Sequence, residues 1–471
     1  MTDSPAVAQR ARSDLFGHPR ALTFLFATEM WERFSYYGMR SLLVLYMVNY
    51  LLKPGRMEGV IGLAALRRLL EAPFGPLDVQ PLASLIYGLY SGLVYLTPIM
   101  GGLLADRVLG HRRTVVIGAL LMAVGHFMMA FEPLLLFALL ALILGNGAFK
   151  PNMSAQVGDL YAPGDARRDR AYSIFYVGIN LGALAAPLVC GTLGEKVGWH
   201  FGFAAAGIGM LIGLATYLYA SPMLPPDRIT PVTESVPLSR DARRTLGALL
   251  VLFVPTTLFW ATYEQQGNTI ALWADTYTDR TIHLLGWSAT IPTTWFQSFN
   301  PMMIVAFTPL VVGLWSWQAR RASEPTTLTK MALGCFGVAL AYLIMAAAAW
   351  HAGGAKATWL WLLAYFVVLT FGELYLSPIG LSLVSKVAPR HIVSMMMGVW
   401  LATSFAGGFL AGWLGSLWSR MDKVQFFLMV AAIVALAGIA IALLRRPLRA
   451  VLADPQPLGP QATGRVDHPA V

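Results

Sequence analysis

Charge is scarce in this chain. Asp, Glu, Lys and Arg make up 12% of its 471 residues, roughly half the share of a soluble protein. That excludes a single large globule with a solvated surface. Cysteine is nearly absent: Cys190 and Cys335 are the only two. Both lie in apolar runs in different halves of the chain, so neither a disulfide framework nor a thiolate metal site follows. The eight histidines form no His-rich constellation, and the patterns HExxH and GxSxG are missing. An enzyme is therefore not expected, nor a metal or cofactor. Acids are in the minority, 24 against 34 bases. In a soluble chain that excess would suggest nucleic acid; here it reflects basic loops beside a bilayer, and no nucleic-acid partner is expected. The first twenty residues are polar and the apolar run after them is too long for a leader, so no cleavable signal peptide is expected.

What fills the chain is hydrophobic residues, 57% of the total, in blocks of about 20 or more, the length that crosses a bilayer. Twelve spans are predicted: 21–52, 82–106, 114–132, 134–158, 171–194, 198–220, 246–272, 292–318, 329–350, 357–385, 392–418 and 425–444. Only two connections are long. In 53–81, Met57 to Ala72 has Leu, Ile and Val on one side and Arg67 and Arg68 on the other, the pattern of a short interfacial helix. The other, 221–245, carries Pro222, Pro225, Pro226, Pro231 and Pro237 with four arginines, and reads as a loosely ordered linker. The domain plan is an N-terminal tail over 1–20, a six-helix bundle over 21–220, the linker, a second six-helix bundle over 246–446, and a polar, Pro-rich tail over 447–471 that is expected to be disordered. With the N-terminus in the cytoplasm, 22 Lys and Arg fall in cytoplasmic segments and nine in outer loops. That bias places both termini and the linker inside. An Arg- and Ala-rich, short-looped chain suggests a multi-pass protein of a bacterial inner membrane.

The halves echo each other. Thr97-Pro98 near the end of the second span is followed by Gly101, Gly102 and Arg112-Arg113; Thr308-Pro309 near the end of the eighth is followed by Gly313 and Arg320-Arg321. Pro151 precedes Ala162-Pro163 as Pro378 precedes Ala388-Pro389. Two repeated six-helix halves are the architecture of alternating-access carriers, with the site near the midplane between them. The loop after the second span, GGLLADRVLGHRR (101–113), resembles the loop signature of the major facilitator superfamily. The resemblance implies that fold: an all-α membrane protein of twelve transmembrane helices in two halves. Asp106 can accept hydrogen bonds from a helix N-terminus and pair with Arg112 or Arg113, so Asp106, Arg107 and Arg112 form a candidate cytoplasmic latch.

The first span holds Glu29, Glu32, Arg33 and Arg40. Each charge at the bilayer centre costs about 2.5–3.5 kcal/mol on insertion scales. At 100° per residue these four, with Tyr36 and Tyr37, fall within an arc of roughly 140°. Such a polar stripe suits a transport pathway better than a purely structural ion-pair network. Other polar centres interrupt apolar runs: Lys150, Pro151 and Asn152 in the fourth span, Tyr176 and Asn180 in the fifth, Trp260, Tyr263 and Glu264 in the seventh, Asn300-Pro301 in the eighth, Glu373, Tyr375, Ser377 and Pro378 in the tenth, Trp400 and Ser404 in the eleventh. An acid that exchanges partners as two halves rock also changes its proton affinity. That supplies proton coupling without a cofactor.

Four motifs carry a family resemblance. EMWERFSYYGM (29–39) resembles the helix 1 signature of the proton-dependent oligopeptide transporter family. GNGAFKPN (145–152), FYVGINLG (175–182) and GELYLSPIGLS (372–382) resemble its motifs in helices 4, 5 and 10. The resemblance implies uptake of di- and tripeptides driven by a proton gradient, in a twelve-helix form without the two extra helices of many bacterial members; a monomer is expected. It also implies residue roles. Arg33, Lys150 and Asn180 match positions that hold the peptide carboxylate; Glu373 and Asn300 match those that receive the amino group. Tyr37, Tyr95, Trp260, Trp400 and Ser404 match pocket-lining positions. Glu29 and Glu32 match acids tied to proton coupling. Arg40 and Glu264 match an outer gate whose pairing depends on protonation, and Lys150 with Glu373 a second pair across the halves. Animal members carry a histidine seven residues before the equivalent of Tyr95. Gly88 stands there in this chain, so that proton site is missing; His126 does not match it and reads as a satisfied helix–helix contact.

Residue chemistry also favours a short peptide. A basic cluster and an acid on opposite sides of a cavity suit a zwitterion with separated charges, and aromatic and small residues between them suit varied side chains. The rival readings are a proton-coupled carrier for nitrate or another anion, or a drug–proton antiporter. Glu29 and Glu32 put negative charge where an anion must pass, and a drug needs no ordered carboxylate clamp. A receptor without transport leaves the two-half layout unexplained.

Overall fold

The computed structural model describes residues 14–15, 17–162, 165, 167–227, 229, 240–284, 287–387 and 393–448. Twelve long helices dominate them: α1 (Arg20–Tyr46), α2 (Val79–Leu104), α3 (His111–Met128), α4 (Leu135–Asp159), α5 (Arg167–Ala186), α6 (Trp199–Ala220), α7 (Arg240–Tyr263), α8 (Phe299–Arg320), α9 (Thr327–Ala352), α10 (Leu360–Val387), α11 (Val393–Ser416) and α12 (Lys423–Leu448). Ten are long and apolar enough to cross a membrane on composition alone. The exceptions are α1, which carries four buried charges, and α3, whose 18 residues begin His111-Arg112-Arg113. Both are walled in by neighbours, α1 by α5 and α6, α3 by α4 and α6.

Local chemistry sets the helix ends. Thr326 caps α9 by accepting from the amide of Thr329, and Gly353 ends it with φ +52°. There the left-handed turn favours glycine. Gly110, at φ +78°, turns the chain between α2 and α3. α7 is discontinuous: a single tight turn, Glu264–Gly267, separates it from the short helix Thr269–Thr276. Such breaks are tolerated at membrane depth where the freed backbone lines a cavity or is held by protein.

The packing repeats. In the first half α1 packs on α5 and α6, and α3 on α4; in the second α7 packs on α11 and α12, and α9 on α10. The halves meet through α2 on α11 and α5 on α8. Exchanging the halves exchanges these two contacts, as a pseudo-two-fold repeat requires. The α2–α11 contact is built on glycine. A Cβ at Gly88 would lie 2.6 Å from the Gly412 amide nitrogen and 2.8 Å from the Gly408 carbonyl, and one at Gly92 2.8 Å from the Phe405 carbonyl. Without a hydrophobic drive between helices in lipid, small residues that let backbones approach supply the contact. This is why a histidine has no room at residue 88.

Several expectations shift. The interfacial helix runs Leu63–Phe74, later than Met57 to Ala72, with a half-buried Arg67–Glu71 ion pair of 2.8 Å that also holds the backbone of Leu77. α7 starts at Arg240, so the linker is shorter than 221–245. Of its prolines, Pro231 and Pro237 lie outside the described residues, as do Pro163, Pro389, most of the N-terminal tail and all of the C-terminal tail from Arg449 on. Short strands interrupt the all-α plan, among them the hairpin Thr281–Leu284 with Trp287–Thr290. His126 is buried, but neither ring nitrogen has a hydrogen-bond partner among the described residues, which is not the satisfied contact expected.

Gly88→Val is expected to insert normally but to hold α2 and α11 apart. Cross-linking of cysteine pairs across the two helices on the side away from the termini checks this; a variant that cross-links like the wild type would refute the glycine contact.

Candidate functional site

The site is built on α1. Glu32 and Arg33 are sequence neighbours that fold back on each other: Arg33 Nη2 donates to Glu32 Oε1 at 2.8 Å, and Arg33 Nε pairs with Glu32 Oε2. Asn146 in α4 donates to the same Glu32 Oε1 at 3.1 Å. Glu29 Oε1 stands 3.2 Å from Arg33 Nε, while Glu29 Oε2 is buried without a hydrogen-bond partner among the described residues. The face of Tyr36 covers the guanidinium at 5.2 Å. All of this belongs to the first half.

Two turns farther along α1, a second ion pair crosses to the other half. Arg40 pairs with Glu264 at the break after α7, and its Nε donates to the Tyr87 hydroxyl of α2 at 3.0 Å. Beyond it, away from the chain termini, polar groups tie the halves together. Glu195 accepts from the amides of Thr293 and Thr294, both at 2.8 Å, and from the Thr294 hydroxyl. Arg280 lies 3.6 Å from Glu195. Asn49 donates to Asp275 at 2.9 Å, and Ser84 to Asn268 at 2.8 Å. The molecule is closed on this side.

Beneath the closure lies a cavity of about 300 Å³ between the halves. The first half contributes Tyr37, Arg40, Tyr95, Lys150, Tyr176 and Asn180; the second contributes Trp260, Tyr263, Glu264, Asn300, Glu373, Trp400 and Ser404. Tyr176 and Leu381 line it and are 46% and 42% exposed, so the cavity opens toward the termini. Lys150 Nζ sits 4.9 Å from the Tyr95 ring centroid. Asn300 donates to Glu373 Oε2 at 2.8 Å and to the Thr370 hydroxyl at 3.1 Å. Asn180 donates to the Tyr176 carbonyl at 2.9 Å. Cationic groups thus face acidic ones across a gap lined with aromatic rings.

Of the substrate-binding candidates, all but Arg33 line this cavity. Arg33 is 4% exposed and held by Glu32 and Glu29. Lys150 and Glu373 line the cavity from opposite halves without forming an ion pair, because the halves are apart at that level. The latch also differs from expectation. Asp106 lies 3.5 Å from His111 Nε2 rather than beside Arg112. The Arg112 amide at the start of α3 instead faces the Asp227 carboxylate at 3.2 Å, and its side chain donates to the Leu224 and Pro225 carbonyls. Gly110 turns the α3 N-terminus toward the end of α6, where Asp227 lies closer than Asp106. Arg107, in the turn just before Gly110, forms no ion pair among the described residues. Sequence reasoning missed Tyr87, Asn146, Thr370 and the group Asn49, Glu195, Asp275 and Arg280. Asn146 was available in GNGAFKPN. Glu195 had no local signal, since its partners lie about one hundred residues away.

Similarity to known proteins agrees with this geometry. A sequence model of the POT family matches residues 112–237 and 235–432. A di-/tripeptide transporter of Lactococcus lactis subsp. cremoris is 32% identical, over 94% of this chain and 99% of that protein. Peptide transporter YePEPT of Yersinia enterocolitica is 34% identical, over 85% and 88%. A crystal structure of a mutant peptide transporter POT in complex with alafosfalin superposes with a TM-score of 0.82 at 30% identity, covering 94% of this chain and 99% of that one.

Arg40→Ala leaves the Glu264 carboxylate, 2% exposed, buried and unpaired, a change that costs about 3–5 kcal/mol. Thermal unfolding in detergent is expected to show a clear loss for Arg40→Ala and recovery of much of it in Arg40→Ala/Glu264→Gln. A double variant no more stable than the single one would mean that the pair does not carry the closure.

Proposed function

The chain belongs to the POT family, and we propose that it is a proton-coupled symporter that imports di- and tripeptides by alternating access in a bacterial inner membrane. The observation that carries this reading is the cavity's charge layout: Lys150 and Asn180 in one half, Glu373 and Asn300 in the other, with Tyr37, Tyr95, Trp260 and Trp400 between them. A short peptide brings a carboxylate and an ammonium group separated by a variable middle. Charge-assisted hydrogen bonds at both ends select that shape, while aromatic walls accept many side chains. Neither an anion nor an apolar drug uses both ends.

With both termini cytoplasmic, the closure at Arg40–Glu264 is the outer gate and the cavity faces inward. Opening outward separates that pair, and protonation of Glu264 removes the attraction that holds it. Glu32 and Glu29 compete with a substrate carboxylate for Arg33. When Glu32 is ionised, Arg33 is held by its neighbour; when Glu32 is protonated, the guanidinium turns to the peptide. Loading the peptide is thereby linked to loading the proton, and Lys150 with Glu373 closes the inner side once the halves rock. The protein works as a monomer, since each chain contains a complete cavity.

Uptake of labelled Ala-Ala by proteoliposomes tests the reading. Accumulation is expected with an inward proton gradient and not without one, and excess dipeptide, not nitrate, is expected to compete. Glu32→Gln, which keeps the shape and removes the titratable group, is expected to lose accumulation while retaining counterflow exchange. Undiminished accumulation by that variant would remove Glu32 from the proton path.

A further inference from the structure

Trp400 lines the cavity, yet it is only 3% exposed. Its ring lies in the wall because of Gly380. In α10, Ser377 and Leu381 line the cavity, and Gly380 lies between them in sequence. A Cβ at residue 380 would overlap Trp400 Cη2 and stand 2.6 Å from Cζ2 and 3.0 Å from Cζ3. No real Cβ makes such contacts. The benzo edge of the indole therefore rests on bare α10 backbone. Elsewhere the ring is held by Phe253 of α7, which meets it edge to face with centroids 5.7 Å apart.

We infer that Gly380 is a specificity-determining position: by leaving out a side chain it lets the Trp400 indole lie back against α10, and so sets how large a peptide side chain the cavity accepts. The argument is one of volume. Interiors are close-packed, and a ring cannot move into Phe253 without loss of packing. The cavity, which Trp400 lines, is a side on which the ring can yield without displacing protein. A methyl group at residue 380 consequently drives the ring into a space of about 300 Å³. A small dipeptide keeps its room; a peptide with a bulky side chain loses it. Gly380 touches no substrate in this scheme and acts through Trp400. The inference rests on the peptide-transport reading above.

The test is a double-mutant cycle in proteoliposomes, with wild type, Gly380→Ala, Trp400→Phe and Gly380→Ala/Trp400→Phe. Competition against labelled Ala-Ala is measured with unlabelled Ala-Ala, Ala-Leu, Ala-Phe and Ala-Trp. Gly380→Ala is expected to weaken Ala-Phe and Ala-Trp by about tenfold or more, the scale on which a pocket discriminates by size, and Ala-Ala by about twofold or less. Phenylalanine is too short to reach residue 380, so the size-selective loss is expected to vanish in the Trp400→Phe background. A uniform loss for all peptides, no loss, or an undiminished size-selective loss in that background would each overturn the proposal. If Gly380→Ala does not fold, Trp400→Phe alone still decides: Ala-Trp must gain relative to Ala-Ala, and no gain refutes the wall. Failure of the wild type to take up Ala-Ala would instead overturn the transport reading.

Discussion

A charge buried inside a membrane protein needs a partner, since its desolvation costs of the order of several kcal/mol. That requirement organises the molecule. α1 carries two ion-pair systems that differ in what they join. Glu32, Arg33 and Asn146 belong to one half, so any rigid movement of the halves carries them along intact. Arg40 and Glu264 belong to different halves, so opening on that side must separate them. The consequences are unequal. Arg40 keeps the Tyr87 hydroxyl and ring in its own half. Glu264 has no second hydrogen-bond partner among the described residues. The barrier to opening therefore falls on Glu264, whose charge is offset only by water or by a proton. In the proposed cycle that asymmetry makes the carboxylate, rather than the arginine, the group that opening leaves without a protein partner.

The rest of the closure is built to come apart. Helices α2 and α11 meet backbone to backbone through Gly88, Gly92, Gly408 and Gly412. At these glycines the contact is backbone on backbone, so few side chains have to be withdrawn when the helices part. The outer hydrogen bonds, from the Thr293 and Thr294 amides to Glu195 and from Asn49 to Asp275, lie where water can replace them. Exchanging protein for water partners changes the free energy by about 0.5–1.5 kcal/mol per bond. A closure of several such bonds around one buried ion pair is strong enough to hold and weak enough to release. The Glu195 contacts also serve the turn that leads into α8, because its carboxylate accepts from amides at the start of that turn.

Much of the architecture was legible in the sequence because hydrophobic length and the cost of buried charge are local properties. All twelve spans correspond to helices, and of the stripe on the first one Tyr37 and Arg40 line the cavity while Glu29, Glu32 and Arg33 pair within the first half. Tyr37, Lys150, Asn180 and Glu373 were legible through motifs, each of which keeps its polar groups within a few residues; Tyr95, Trp260, Asn300, Trp400 and Ser404 were assigned to the pocket only by matching family positions. What escaped were relations between distant segments. Arg112 belongs to the start of the linker and not to Asp106, because Gly110 turns the α3 N-terminus toward Asp227. Arg33 is withdrawn from the cavity by its own neighbour, a rotamer choice that helical phase does not encode. Lys150 and Glu373 do not pair because the distance between halves depends on the conformational state, and one sequence serves every state.

The cavity combines strictness with tolerance, and its two walls explain how. In the proposed cycle the group that receives the peptide's ammonium is held by hydrogen bonds: Glu373 by Asn300, and Asn300 in turn by Thr370. Their positions are therefore narrow. The middle is lined by rings whose contacts are dispersive and non-directional. Trp260 meets Tyr263 edge to face with centroids 5.5 Å apart, and Trp400 meets Phe253 in the same way. Such a surface does not leave a hydrogen bond unmade when a peptide side chain changes, so variation there is cheap up to the limit of volume. Discrimination at the ends is different in kind, because a missing charge leaves a buried group unpaired. A carrier built this way rejects ligands that lack either terminus far more strongly than it distinguishes one side chain from another. The size limit in the middle is set by how far the indoles can lie back, and hence by the backbone behind them.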